Sequence, residues 1–206
     1  MGDGTPLVRL DSRAMTQADL TRQRLIRAAL ELFTTTGYHF TTTPLIARKA
    51  GVAEGTIYRH FDSKQHLLNE LYRAAGRWAV RVVKEADGLK VGPREKLAEL
   101  GRGLVAGAAR EPAVAQLFFV QRHADLLDDE SRKVARDFRL GLESLMAQGK
   151  ADGSVKPGAV EVWAAVWLGV VTLAVDRVAG REWPETHAGV QLSLDAAWDA
   201  VAAPRQ

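Results

Sequence analysis

The 206-residue chain contains no cysteine, which excludes disulfides, thiolate metal sites, iron–sulfur clusters and cysteine nucleophiles, and fits a reducing compartment. Long apolar runs are missing too. The longest, Val162 to Val175 broken only by Thr172, falls short of the roughly 18 to 20 residues of a membrane span, so it reads as a buried helix and no membrane partner is expected. Met1 to Ser12 hold Asp3 and Asp11 but no apolar signal core. Residues 1–15 are therefore expected to form a flexible arm and the protein to stay in the cytoplasm. Enzyme signatures are absent as well: there is no H-E-x-x-H, no P-loop and no G-x-S-x-G, and G-R-G-L-V-A-G at 101–107 has neither dinucleotide-binding spacing nor a strand before it. The histidines at 39, 60, 66, 123 and 187 show no metal-ligand spacing, and the acids Asp125, Asp128, Asp129 and Glu130 stand where they favour the positive end of a helix. No catalytic residue, metal or cofactor is expected.

What is present is helix. Apolar residues (47%) and charged residues (26%) match an ordinary globular chain, and between proline and glycine breaks the apolar positions recur at three and four. The spacing predicts an all-α protein of about nine helices and no convincing strand. The first helix runs about Thr16 to Thr36 with Gly37 at its C-terminal end; short helices follow near 43–50 and 54–60; a fourth, capped by Asp62 or Ser63, lasts to about Asp87. Gly88 to Pro93 is the best linker. Beyond it, helices are expected over Pro93 to Arg110, Pro112 to about His123, Asp128 to Lys150, Pro157 to about Gly180, and about 186–202. The implied units are 16–87 and 88–206. Residues 1–90 carry 14 Lys and Arg against 9 Asp and Glu, and the remainder 14 against 16, so the basic excess lies in the first half, where a polyanion would be met.

Two short helices around a glycine turn cannot stand alone and must be packed. Ile46, Ala47, Ala50, Val52 and Ile57 supply the contacts, and Gly51 stands where a left-handed turn residue is wanted. This is a helix-turn-helix pattern, which turns the start of its second helix, Glu54 to His60, outward toward a DNA major groove.

The stretch GYHFTTTPLIARKAGVAEGTIYRHFDSKQHLLNELY (37–72) resembles the DNA-binding domain of the TetR (tetracycline repressor) family, with G-Y, T-T, I-A, A-G-V, G-T-I-Y-x-H-F and S-K-x-x-L-L in order across about residues 20–73. The resemblance implies an N-terminal three-helix DNA-binding domain on a C-terminal helical bundle that binds a small-molecule effector and dimerises through its last two helices. It implies a double-stranded DNA operator as partner and a repressor as the function. Thr42, Tyr58, His60 and Lys64 match phosphate contacts; Gly55 and Thr56 allow close approach; Glu54 and Arg59 are the candidate base readers, Arg59 first. Two positions depart from the pattern. Ala53 stands where a capping serine is common, and Leu45 where an acid often completes a capping box.

In the second half, Phe118, Phe119, Trp163 and Trp167 are large apolar groups on two expected helices. They fit either an ordinary core or an apolar effector cavity, with His123 as the polar group preferred over Gln121. A second class of function is a helical protein whose C-terminal half does chemistry or carries lipid, with DNA binding secondary. Sequence-specific DNA binding without turnover of a ligand separates the two.

Overall fold

A computed structural model of the chain describes residues 16–204; the expected arm at 1–15 lies outside the described residues. The fold of the described residues is all helix, in the order α1 (Gln17–Thr35), α2 (Thr43–Ala50), the 3-10 turn Glu54–Arg59, α3 (Lys64–Asp87), α4 (Pro93–Arg110), α5 (Pro112–Ala115), the π-helical turn Gln116–Val120, a short 3-10 turn at Ala124–Leu126, α6 (Asp129–Ala151), α7 (Val160–Ala179) and α8 (Ala188–Val201). Among the described residues, strand pairing is limited to one isolated bridge between Val155 and Ala202.

Local chemistry explains the boundaries. Thr16 and Asp19 form a capping box on α1, Ser63 accepts from the His66 N–H at the start of α3, and Asp128 accepts from the Ser131 N–H at the start of α6. Gly37 and Gly51 end α1 and α2 in the left-handed region, at φ +88° and +67°. Pro93 begins α4, as its sequence predicts.

Two expected helices are shorter than their periodicity suggests. α7 starts at Val160, not at Pro157, because Gly158 adopts φ +130°, outside the helical region. α5 does not reach His123: after Ala115 the chain makes a π-helical turn over Gln116–Val120, closed by the Gln121 N–H on the Gln116 carbonyl at 2.9 Å, and Gln121 is extended. The apolar helix is also longer than its uninterrupted run. Val160–Ala179 satisfies the length and composition of a membrane span, yet Ala164, Trp167, Val171, Ala174, Val175, Val178 and Ala179 are buried within the chain. It is a core helix with an apolar outer side.

The buried side chains form two clusters. One joins Leu25, Ile26, Ala29 and Phe33 of α1 to Ile46, Ile57, Phe61 and the first turns of α3 (Leu67, Leu68, Leu71). The other joins the rest of α3, from Ala75 onward, to α4, α6, α7 and α8. α3 thus serves both cores. Helices approach closely where glycine allows it: a Cβ on Gly76 would fall 2.3 Å from Val134, and one on Gly107 would fall 2.0 Å from the Trp78 ring. Gly107→Ala is therefore expected to displace Trp78 and to cost about 1–3 kcal/mol by overpacking, read as a lower midpoint in urea unfolding with unchanged slope.

Candidate nucleic-acid interface and effector domain

The helix-turn-helix is built as the spacing requires. Ile46, Ala47, Ala50 and Ile57 are buried, and Phe61 anchors the far end of the 3-10 turn. The expected α-helix at 54–60 is replaced by this tighter turn, with bonds from the Thr56 N–H to the Ala53 carbonyl and from the His60 N–H to the Ile57 carbonyl. Ala53 offers no side chain to accept an N–H at the start, and the Thr56 N–H goes instead to the Ala53 carbonyl in an i→i+3 bond.

The turn hides one side chain and presents the others. Glu54, Gly55, Tyr58 and Arg59 are exposed, Thr56 and His60 half-buried. Neither Glu54 nor Arg59 has a hydrogen-bond or ion-pair partner among the described residues, so both keep their full valence for a ligand. Tyr58 and Thr43 share a hydrogen bond between hydroxyls at 3.0 Å, which fixes the exposed phenol beside the start of α2. Thr42 caps that helix, accepting from the Leu45 N–H at 3.4 Å.

Lys64 is engaged inside the chain. Its ammonium donates to the carbonyls of Tyr38 (2.9 Å) and Thr41 (2.8 Å) and lies 4.1 Å from the centre of the Tyr38 ring. Partial burial pushes its pKa down from the usual lysine range. It ties the 38–41 loop to the start of α3 and retains one N–H to offer outward. Of the α1 arginines, Arg22 pairs with Glu70 and lies over Phe61, while Arg24 and Arg27 are exposed.

The candidate effector residues separate into groups. Phe118 and Phe119 come together with Tyr72, Trp78 and Phe138, with ring centres 4.9 to 6.0 Å apart. Trp167 is buried elsewhere in the same core, close to the point where Gly101 meets Leu194. Trp163 is half-buried over Gly158 and donates its indole N–H to the Pro157 carbonyl at 3.2 Å. His123 is buried, with its Nε2 3.1 Å from Gln121 Oε1. Burial, and then the nearby His39, hold its pKa below the usual histidine value, which favours the neutral imidazole. The preference for His123 over Gln121 presumed a helix through 123, on which residues two apart do not easily both face inward; the chain leaves the helix at Gln121, and the two side chains turn toward each other.

The comparisons follow this division. The family description "Bacterial regulatory proteins, tetR family" matches residues 25–71, the stretch from α1 through the 3-10 turn into α3. The fatty acid metabolism regulator protein of Bacillus subtilis is 29% identical over 138 residues, covering 66% of this chain and 71% of the relative. The transcriptional repressor KstR2 of Mycolicibacterium smegmatis is 29% identical over 143 residues, covering 66% and 68%. Among solved structures, the transcriptional regulator FadR from Bacillus subtilis in complex with stearoyl-CoA superposes with a TM-score of 0.66 at 25% identity, over 86% of this chain and 95% of that one. With the motif and its exposed 3-10 turn accounted for, the chain carries the DNA-binding domain of the TetR family of transcriptional regulators at residues 25–71, and the helical domain behind it has the fold of solved TetR-family proteins.

Proposed function

We propose that the protein is a repressor that binds a roughly palindromic operator as a homodimer and is released by an amphipathic effector, a fatty acyl-CoA thioester, bound in the domain formed by α4 to α8. The observation that carries DNA reading is the 3-10 turn, held from beneath by Ile57 and Phe61, with Glu54 and Arg59 exposed and without a partner among the described residues. Arg59 reads guanine and Glu54 accepts from cytosine amino groups, while Thr42, Tyr58 and His60 hold phosphates, Gly55 and Thr56 let the backbone close in, and Lys64 fixes the loop before α2 and gives its remaining N–H to a phosphate.

The dimer is supported by the outer side of α7, where Val162, Val166 and Leu173 are 52%, 37% and 47% exposed, and by Leu192 of α8 at 68%. Val162, Val166, Gly169 and Leu173 recur at helical spacing, a continuous apolar stripe that a second copy would cover. Two recognition turns carried by such a dimer would enter major grooves about 34 Å apart.

The effector class is supported by the reach of the likeness. The Bacillus fatty acid regulator matches well beyond the DNA-binding stretch, and the superposed FadR structure holds stearoyl-CoA. In this reading Phe118 and Phe119 line the acyl end of the site, while Trp163 and Trp167 lie in other parts of the domain and His123 bonds Gln121.

The test begins with DNA selected from a random pool by the purified protein. A two-fold symmetric sequence should emerge, an isolated half-site should bind poorly, and long-chain acyl-CoA should release the complex where free CoA does not. Failure to select any sequence ends the DNA-reading proposal; a specific complex indifferent to acyl-CoA of every chain length ends the effector proposal alone.

A further inference from the structure

The π-helical turn Gln116–Val120 faces both cores at once. Leu117 is fully buried in the cluster formed by α1, α2 and the start of α3, while Phe118 and Phe119, next in sequence, enter the aromatic group of the effector domain. A regular α-helix spaces its side chains 100° apart; the extra residue in a π turn narrows that angle and shifts the register of the side chains around it, so that Leu117 serves one core and Phe118 and Phe119 the other. Immediately after it, Gln121 Nε2 donates to the carbonyls of Phe33 and Thr34 at 3.2 Å each, in the last turn of α1. These carbonyls belong to the end of the helix, where no intrahelical N–H remains to satisfy them.

The chemistry of this contact fixes its polarity. Because the amide nitrogen of Gln121 must donate to two carbonyls, its oxygen faces His123, and His123 must donate from Nε2. Only one orientation of the amide and one tautomer of the imidazole satisfy all three partners. A few residues on, the Leu126 carbonyl accepts from Gln65 and Asn69 of α3, so the segment from 116 to 126 grips the DNA-binding unit at α1 and at α3 separately.

We propose that Gln121, oriented by His123, is a latch that fixes the angle of the DNA-binding unit on the effector domain, and that the π turn couples this latch to whatever moves Phe118 and Phe119. α3 runs through both cores and holds their separation, but a single rod leaves rotation about its own axis open. The buried Leu117 and the bonds from Gln121 to the end of α1 both lie off that axis, and the Gln121 bonds give the contact its fixed direction. The proposal rests on reading the region up to α3 as the DNA-binding unit, but its test needs neither DNA nor effector.

The absence of cysteine makes the test direct. Nitroxide labels on Arg48→Cys in α2 and Arg136→Cys in α6, both exposed in the parent, report the angle between the two units as a distance distribution, with labelled chains diluted in excess unlabelled chain. The parent should give one narrow distribution. Gln121→Met, which keeps the side-chain length and removes the donor, and His123→Phe, which removes the Nε2–H, should each broaden or displace it while helicity is retained. An unchanged distribution in Gln121→Met overturns the latch, and broadening in that variant without any in His123→Phe overturns the orienting role of His123. His123→Gln, which can still donate, should restore the narrow distribution; if it stays broad, the hydrogen bond is not what His123 supplies.

Discussion

Val166→Glu and Leu173→Glu should each convert the dimer to a monomer and lower operator affinity by on the order of 10²- to 10⁴-fold, because one half-site then binds without the other. The size of the effect follows from symmetry. In a two-fold interface each substitution places a carboxylate against or near its own copy, so one change introduces two charges into an apolar seam. Both side chains are exposed in the single chain, so the subunit itself should keep its helicity. Light scattering with a gel shift on the selected DNA checks both parts. A monomeric parent would end the dimer proposal, and dimers in both variants would place the interface elsewhere.

Arg59→Ala and Lys64→Ala should fail differently. Loss of Arg59 should relax preference at particular bases and cost about 1–3 kcal/mol on the selected sequence, with little change on random DNA. If specific and random DNA weaken alike, Arg59 holds a phosphate, and Glu54 or Thr56 must read the bases. Lys64→Ala should weaken all DNA and flatten the dependence on salt by about one unit. It should also lower thermal stability, because its two bonds to the Tyr38 and Thr41 carbonyls contribute about 1 kcal/mol each. A loss of stability and affinity with an unchanged salt slope would make Lys64 a brace for the 38–41 loop and nothing more.

Much of the fold was legible because it is encoded locally. Thr16, Ser63 and Asp128 as caps, Gly37 and Gly51 as left-handed stops, and Pro93 as a helix start each act over three or four residues, a range at which side-chain chemistry alone decides. The helix-turn-helix was legible for a second reason: its short helices need buried Ile46, Ala47 and Ile57, and that need constrains the spacing. What the sequence hid depends on contacts far along the chain. No local signal distinguishes Leu117, buried with α1 and α2, from Phe118, half-buried against Phe138 of α6, and periodicity therefore carried the expected helix on to His123. Trp163 and Trp167 do lie on one helix, but sharing a helix does not make them share a wall with Phe118. Lys64 was read from the outside, and only the loop folded across it shows that its ammonium is already bonded.

The burial of Leu117 also limits how this protein can be recombined with its relatives. The matched family stretch ends at residue 71, which invites exchange of the DNA-reading half between regulators as though it were a detachable module. Yet the socket that Leu117 fills is walled by that half, while the plug is carried by the other. A chimera joined in α3 beyond Leu71 inherits the socket from one parent and whatever side chain the second parent places there. If that side chain is small, the cavity costs about 2–5 kcal/mol, a large part of the stability of a domain this size. Exchanges that respect this fold must carry the plug with the socket, so the unit of inheritance is discontinuous in the sequence although it is contiguous in space.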